Sequence, residues 1–313
     1  METREVQLDF LSVFLSTVAF GGILYGFSTA GDKGWSSPWV YGTISIGFVS
    51  LIIFIFKQLR MDEPLLELRI YKYPMFALGS AISVIVSMAM FSGMILTPAY
   101  VQSIRGIEPF EAGLMMLPGA LVMGIMSPIT GKLFDKFGPR ILAIIGLTIT
   151  TLATFGLTKL AMDSSYTFIV SMYSIRMFGM SMVMMPIMTN GLNQLPQIMN
   201  PHGTAINNTL QQVAGAIGSA VLVTFMNNRT KATAADLIAD AQAKAAQSGV
   251  VPTAEQMQQM QDQIMQTALL DGITHSFLIA AIVTVLALVL AFFLKRVKVE
   301  SVAATMDLKK PTK

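Results

Sequence analysis

The stretch GKLFDKFGPR, Gly131 to Arg140, lies between two long apolar segments and contains four charged residues, two glycines and one proline. Lysine and arginine resist translocation across a bilayer, so short loops that carry them stay in the cytoplasm. Glycine and proline favour tight turns. The stretch therefore predicts a short cytoplasmic turn between two membrane-spanning helices.

The composition of the whole chain indicates the same environment. Hydrophobic residues make up 53% of the sequence and charged residues 12%, and the mean hydropathy is +0.62. A soluble domain has about 25% charged residues. Several apolar stretches reach the roughly 20 residues that a helix needs to cross the hydrocarbon core. We therefore predict an all-α polytopic membrane protein and not an enzyme.

The apolar stretches predict eight spans, near residues 9–28, 38–56, 75–101, 111–130, 140–160, 166–189, 203–226 and 272–294. If both termini are cytoplasmic, the inner segments hold 14 of the 21 lysines and arginines and the outer segments hold 6. This bias predicts that both termini face the cytoplasm. The polar opening, METREVQLD, is unlike a removable signal peptide, so the first span is expected to direct insertion.

Two connections are longer than turns. The segment KQLRMDEPLLELRIYKYP, residues 57–74, combines charges with leucines and predicts a connector along the membrane surface. It divides residues 1–56 from a bundle at 75–295, which a tail at 296–313 follows. In residues 227–270, Thr253 and Gln256 have capping-box spacing and predict a helical hairpin outside the membrane. This hairpin is either a solvated cap or a surface for a partner or substrate.

Several kinds of chemistry are not expected. The chain has no cysteine, and His202 and His275 are far apart, so no metal-ligand spacing is present. No Walker-type loop or catalytic triad is found. The basic residues lie in separate short loops, which argues against nucleic acid as a partner. We expect no cofactor.

The charged turn also resembles a known family signature. The turn resembles the loop signature of the major facilitator superfamily, which combines two glycines, an apolar residue, an aspartate and basic residues. The matching positions are Gly131, Leu133, Asp135, Lys136, Gly138 and Arg140. Pro139 stands where the family often has a basic residue. With GIEPFEAGLMMLPGALV from Gly106 and HGTAINNTLQQVAGAIGSAV from His202, the chain is similar to the fourteen-span drug:proton antiporter branch of the EmrB/QacA type, and most similar to its lincomycin-resistance pumps.

This resemblance implies a function. The first two spans correspond to linker helices and the other six to a C-terminal half, while the N-terminal six-helix half is missing. It implies proton-driven export of amphipathic drugs across a bacterial plasma membrane by alternating access. The implied partners are the lipid bilayer, the drugs and a separate N-terminal half. The alternative is a truncated, non-transporting fragment or a half-transporter that needs a separate half.

Two positions are candidates for a mechanism. Asp135 is expected to accept N–H groups at the start of the next helix and to pair with Lys136 or Arg140. The resemblance implies that this cluster is a latch between access states; the alternative is capping and topology alone. Arg176 lies in the middle of a span, where arginine costs at least about 2.5 kcal/mol. With Gly179 closely following it, Arg176 resembles a family arginine that neighbours the proton path. The alternative is a structural role, in which Arg176 pairs with polar groups on a neighbouring helix.

The seventh predicted span has two further patterns. The amides Asn207, Asn208, Gln211 and Gln212 recur at helical spacing along one side. They are expected to line a cavity of the proton or substrate pathway, or to bind a neighbouring helix. Gly215 and Gly218 belong to a small-residue pattern that predicts close helix packing. No span has a carboxylate near its middle, and the resemblance implies that the coupling carboxylate belongs to the missing half.

Overall fold

The computed structural model describes residues 9–61, 64–248 and 253–297, and these residues are almost entirely helical, with no strand among them. The long helices are α1 (Phe10–Lys33), α2 (Pro38–Arg60), α3 (Pro74–Ser103), α4 (Pro109–Phe137), α5 (Pro139–Leu157), α6 (Tyr166–Leu192), α7 (Asn200–Ser248) and α8 (Ala254–Ala291). Short 3-10 helices span Leu68–Lys72 and Gln197–Met199. In the described ranges, eight helices are long and apolar enough to cross a membrane, which confirms the predicted fold class.

Prolines define where four of the helices begin. Pro38, Pro74, Pro109 and Pro139 are the first residues of α2, α3, α4 and α5. The first helical position needs no N–H donor, and the fixed φ of proline suits a helix start. Each start lies within two residues of the start that hydropathy predicted.

Helices α3 to α8 form one bundle. Helix α6 packs against α3, α4 and α5, and α8 packs against α3, α5 and α7. One apolar cluster joins α3, α5, α6 and α8 through side chains that include Ile82, Leu147, Val183 and Ala287. A second cluster, near the α5–α6 connection, includes Tyr100, whose hydroxyl donates to the carbonyl of Ala161. Helix α6 therefore lies inside the bundle, in contact with α3, α4 and α5.

Helices α1 and α2 form a close pair that lies against α7. A Cβ added at Gly47 would lie 2.8 Å from the backbone nitrogen of Ile23, so the two backbones are nearly in contact. At one end of the pair, Lys57 Nζ contacts Asp9 Oδ2 at 2.5 Å. Beside this ion pair, Gln58 Nε2 donates to Ser12 Oγ at 2.7 Å. Small residues in the membrane and polar contacts at its edge hold the pair together.

The Asp9–Lys57 ion pair predicts a pH dependence. Hydrogen bonds from Lys57 and Ser12 lower the pKa of Asp9 from 3.8 to about 2. A lowered pKa means that the charged carboxylate stabilises the fold above pH 3.8 and that this contribution is lost as the pH falls through about 2. We expect Asp9→Asn to lower the thermal unfolding midpoint near neutral pH and to flatten its fall on acidification. An unchanged acid profile in the variant would contradict this role.

The described parts of the long connection between the last two spans are two helices, in agreement with the predicted helical hairpin. Helix α7 runs unbroken to Ser248, and α8 begins at Ala254, so the hairpin consists of extensions of the two spanning helices. The predicted capping box is confirmed: Thr253 Oγ1 accepts from Gln256 N, and Gln256 Oε1 accepts from Thr253 N at 3.0 Å. Arg229 Nε donates to Asp271 Oδ2 at 2.7 Å and joins the two extensions. Most of the predicted tail, residues 298–313, lies outside the described residues.

Candidate functional site

The predicted charged turn at 131–140 has only one residue that is not helical. Residues Gly131 to Phe137 are the last two turns of α4, and α5 begins at Pro139. Gly138 has a φ of 78°, in the left-handed region, and its N–H donates to the carbonyl of Phe134 at 2.8 Å. The tight turn therefore depends on Gly138, as only glycine adopts this φ without strain.

The expected role of Asp135 as a cap and ion-pair partner is wrong. The N-cap of α5 is Gly138, with no side-chain cap, and Asp135 has no ion pair with Lys136 or Arg140. The physical reason is that α4 extends two residues beyond Asp135. The carboxylate therefore lies at the C-terminal end of α4, where carbonyl groups are free and N–H groups are not.

A different residue joins this turn to the rest of the bundle. Arg296, after the end of α8, donates from Nη2 to the backbone oxygen of Asp135 at 2.5 Å. A Cβ at Gly138 would lie 3.3 Å from Arg296 Cδ, so the arginine passes close over the turn. Leu133 packs with Phe134, Leu142 and Met182. Sequence reasoning missed Arg296, although a basic pair after the last span was a visible signal.

The remaining signature residues occupy ordinary positions. A Cβ at Gly131 would contact Met185 Cε at 3.2 Å, so this glycine faces α6. Lys136 and Arg140 are exposed. The signature as a whole therefore ends one helix, begins the next and presents basic charge to the surroundings.

Arg176 is fully buried in α6, between α3 and α5. Its Nε donates to Thr154 Oγ1 at 3.2 Å, and its Nη2 donates to the carbonyl of Ala89. Its Nη1 has no hydrogen-bond partner among the described side chains, and no described carboxylate pairs with the guanidinium. A buried cation without an anion is costly, since its desolvation is only partly offset by two neutral acceptors.

The space for this guanidinium comes from a missing side chain on α3. A Cβ at Gly93 would lie 1.8 Å from Arg176 Nη1. Any larger residue at this position therefore requires the arginine to move. Sequence reasoning identified Arg176 but missed Thr154, Ala89 and Gly93, because only the tertiary packing brings these three residues to it.

Gly179 lies one turn after Arg176, where α5 and α6 are in near contact. A Cβ at Gly179 would lie 2.5 Å from Thr150 Oγ1 and 2.6 Å from the backbone oxygen of Gly146. A Cβ at Gly146 would meet the backbone oxygen of Gly179 at 2.6 Å in return. The structure therefore places Gly179 at a helix crossing. Its predicted place in a proton path stays a prediction.

The four amides of α7 do not share one protected side, and that part of the prediction is wrong. Asn207 is 3% exposed and its Nδ2 has no partner among the described residues, whereas Gln211 is half-buried. Asn208 and Gln212 are exposed. Adjacent residues of a helix point about 100° apart, so residues 207 and 208 cannot face the same neighbour. Asn207 lies beside Gly79 and Ile187, on α3 and α6.

Two cavities border α7. The larger, of about 560 Å³, lies between α1, α3 and α7, and the smaller, of about 380 Å³, lies between α1, α2, the first 3-10 helix and α7. Arg176 lines neither of them. Beside the larger cavity, α7 packs closely on α3. A Cβ added at Gly218 would lie 2.6 Å from Met88 Cα, and a Cβ added at Gly215 would lie 2.6 Å from the ring of Phe91.

Comparison with known proteins gives consistent matches. Residues 11–219 match the family model described as Major Facilitator Superfamily. The chain is 50% identical over 230 residues to the MFS-type transporter YhcA of Bacillus subtilis, covering 74% of this chain and 43% of that protein. It is 43% identical over 301 residues to the lincomycin resistance protein LmrB of Bacillus subtilis, covering 96% of this chain and 59% of that protein.

A solved structure matches at the level of the fold. The inward-facing crystal structure of a bacterial homolog to the human lysosomal transporter Spinster aligns with a TM-score of 0.57 at 17% identity. The match covers 91% of this chain and 67% of that one. The chain spans about half the length of the curated relatives that it matches.

Proposed function

The chain belongs to the major facilitator superfamily, and on this basis we propose that it forms the two linker helices and the C-terminal half of a fourteen-span drug:proton antiporter. The observation that carries this proposal is its similarity, along 96% of its length, to a lincomycin resistance protein. The match covers 59% of that relative, which is close to the fraction expected if eight of fourteen spans are present. Helices α1 and α2 are then the linkers.

The transporter would export amphipathic drugs across the bacterial plasma membrane, driven by the proton gradient. Both termini and the α4–α5 turn would face the cytoplasm, because this orientation places most basic residues inside. Arg296 holds the turn to the end of α8, and breaking this contact when the two halves rock would favour one access state over the other. In this proposal, the contact of Arg296 acts as the latch between access states, the role that the sequence assigned to Asp135 and Arg140.

Arg176 would belong to the proton or substrate path. A titrating carboxylate opposite an arginine is a common way to couple proton binding to charge. Among the described residues, Arg176 has no such partner. We therefore propose that the carboxylate comes from the N-terminal half or from the substrate. The same observation favours the second candidate function, a half-transporter that is inactive until a separate N-terminal half joins it.

Expression in a lincomycin-sensitive bacterium tests the proposal. The chain is produced alone and fused behind the first six spans of the Bacillus subtilis lincomycin resistance protein, and lincomycin accumulation is measured with and without a protonophore. We expect the fusion, but not the chain alone, to lower accumulation, and the protonophore to abolish the effect. A fusion that inserts into the membrane but leaves accumulation unchanged would contradict drug export.

A further inference from the structure

The larger cavity has the properties of a small-molecule site. Its volume of about 560 Å³ falls in the range of roughly 300–1,000 Å³ that is typical of such sites. Two aromatic rings face it, Phe27 from α1 and Phe91 from α3. Ala216 and Val223 of α7 complete the apolar wall. An apolar and aromatic lining of this kind holds the apolar body of a ligand.

Two polar side chains in the same lining are free to bind. Ser28 on α1 and Gln212 on α7 are both exposed, and neither side chain has a hydrogen bond to another described residue. The hydroxyl of Ser219 is engaged by the carbonyl of Gly215. Among the side chains that the structure describes, no charged one lines the cavity. The chemistry of the lining is therefore neutral, with one amide and one hydroxyl as its available groups.

We propose that this cavity binds a neutral amphipathic aromatic compound, with the apolar part between Phe27 and Phe91 and a polar group hydrogen-bonded to Gln212 and Ser28. A charged ligand would lose hydration without gaining an ionic partner. A lipid chain would leave the amide and the hydroxyl facing hydrocarbon without partners. The smaller cavity has almost only apolar lining and lacks this pair of polar groups.

This inference goes beyond the proposed function, because it assigns a ligand site to the linker helix α1. The site does not depend on Arg176 or on the α4–α5 turn. Binding is measured on the chain itself, without transport. Failure of drug export would leave the site intact, and failure of binding would leave the export proposal intact.

A natural reporter lies next to the cavity. The ring of Trp35 contacts that of Phe27 with centroids 5.6 Å apart, and its Nε1 donates to Thr224 Oγ1 at 2.7 Å. The sequence has one other tryptophan, Trp39, which is 71% exposed. Trp39→Phe leaves Trp35 as the single reporter of the cavity.

The probe is N-phenyl-1-naphthylamine, a neutral aromatic amine that accepts energy from tryptophan, added to the full chain in lipid nanodiscs. We expect energy transfer from Trp35 in the Trp39→Phe chain to saturate, above the linear rise that probe dissolved in the lipid produces. Gln212→Leu removes one hydrogen bond and should weaken the saturable binding about two- to tenfold. Ala216→Phe fills the cavity and should remove saturable binding. Ala205→Phe, on the exposed side of α7, is the matched control and should bind normally.

Circular dichroism and gel filtration show whether each variant is folded. If Ala216→Phe does not fold, the milder change Gln212→Leu still tests the proposal. Linear transfer from Trp35 in the Trp39→Phe chain would mean that lipid fills the cavity, and would overturn the proposal. The saturable transfer could also stay unchanged in both Gln212→Leu and a folded Ala216→Phe. The probe would then bind outside the cavity, and the proposal would be overturned.

Discussion

Replacing Arg176 with methionine is expected to leave the bundle folded while strongly reducing drug export by the fused transporter. The guanidinium is fully buried, makes hydrogen bonds to Thr154 and Ala89, and has no described carboxylate partner. Replacing an incompletely paired buried charge with an apolar side chain of similar volume is often neutral or stabilising. We therefore expect an unchanged or higher unfolding midpoint and a fall in export of at least about tenfold, or about 1.4 kcal/mol.

The controls separate function from structure. Arg105→Met removes an exposed arginine, which donates to the carbonyl of Met162, and should leave export unchanged. Arg176→Lys keeps the charge but loses the planar fork that reaches two helices, so intermediate export is expected. Normal export by Arg176→Met would remove the residue from the path. A large loss of stability would show that its role is structural pairing.

Adding a single methyl group at Gly179 is expected to destabilise the bundle. The new Cβ would lie 2.6 Å from the backbone oxygen of Gly146, and a backbone cannot rotate out of the way as a side chain can. Helices α5 and α6 must then separate. Overpacking of this kind costs about 1–3 kcal/mol. Gly179→Ala should therefore lower the thermal unfolding midpoint of the purified chain.

Gly124→Ala is the matched control, because a Cβ at Gly124 of α4 meets nothing within 4 Å. Alanine also has a higher helix propensity than glycine, by about 1 kcal/mol in water. We expect this variant to be as stable as the parent or more so. Equal thermal unfolding midpoints for Gly179→Ala and Gly124→Ala would show that α5 and α6 tolerate separation. The close packing at Gly179 would then not explain this glycine, and its predicted role in the proton path would be the remaining interpretation.

Local sequence features predicted the spans but not their partners. Hydropathy located eight helices, and Thr253 with Gln256 located the start of the last one, because each signal depends on neighbouring residues. The ends of α4 and α7 were missed, since polar residues continue both helices beyond the apolar stretch. This is why Asp135 was assigned to a cap. The contacts of Arg176 and Arg296 join residues from distant parts of the chain, and no local pattern reports them.

Labelling of single cysteines tests most directly whether the chain crosses the membrane as proposed. The sequence has no cysteine, so each introduced thiol is unique. The variants Lys136→Cys, in the last turn of α4, and Lys159→Cys, between α5 and α6, replace exposed residues. A membrane-impermeant maleimide should label Lys159→Cys in intact cells and Lys136→Cys only after permeabilisation. Labelling of Lys136→Cys in intact cells, with Lys159→Cys protected, would contradict the orientation and the cytoplasmic latch.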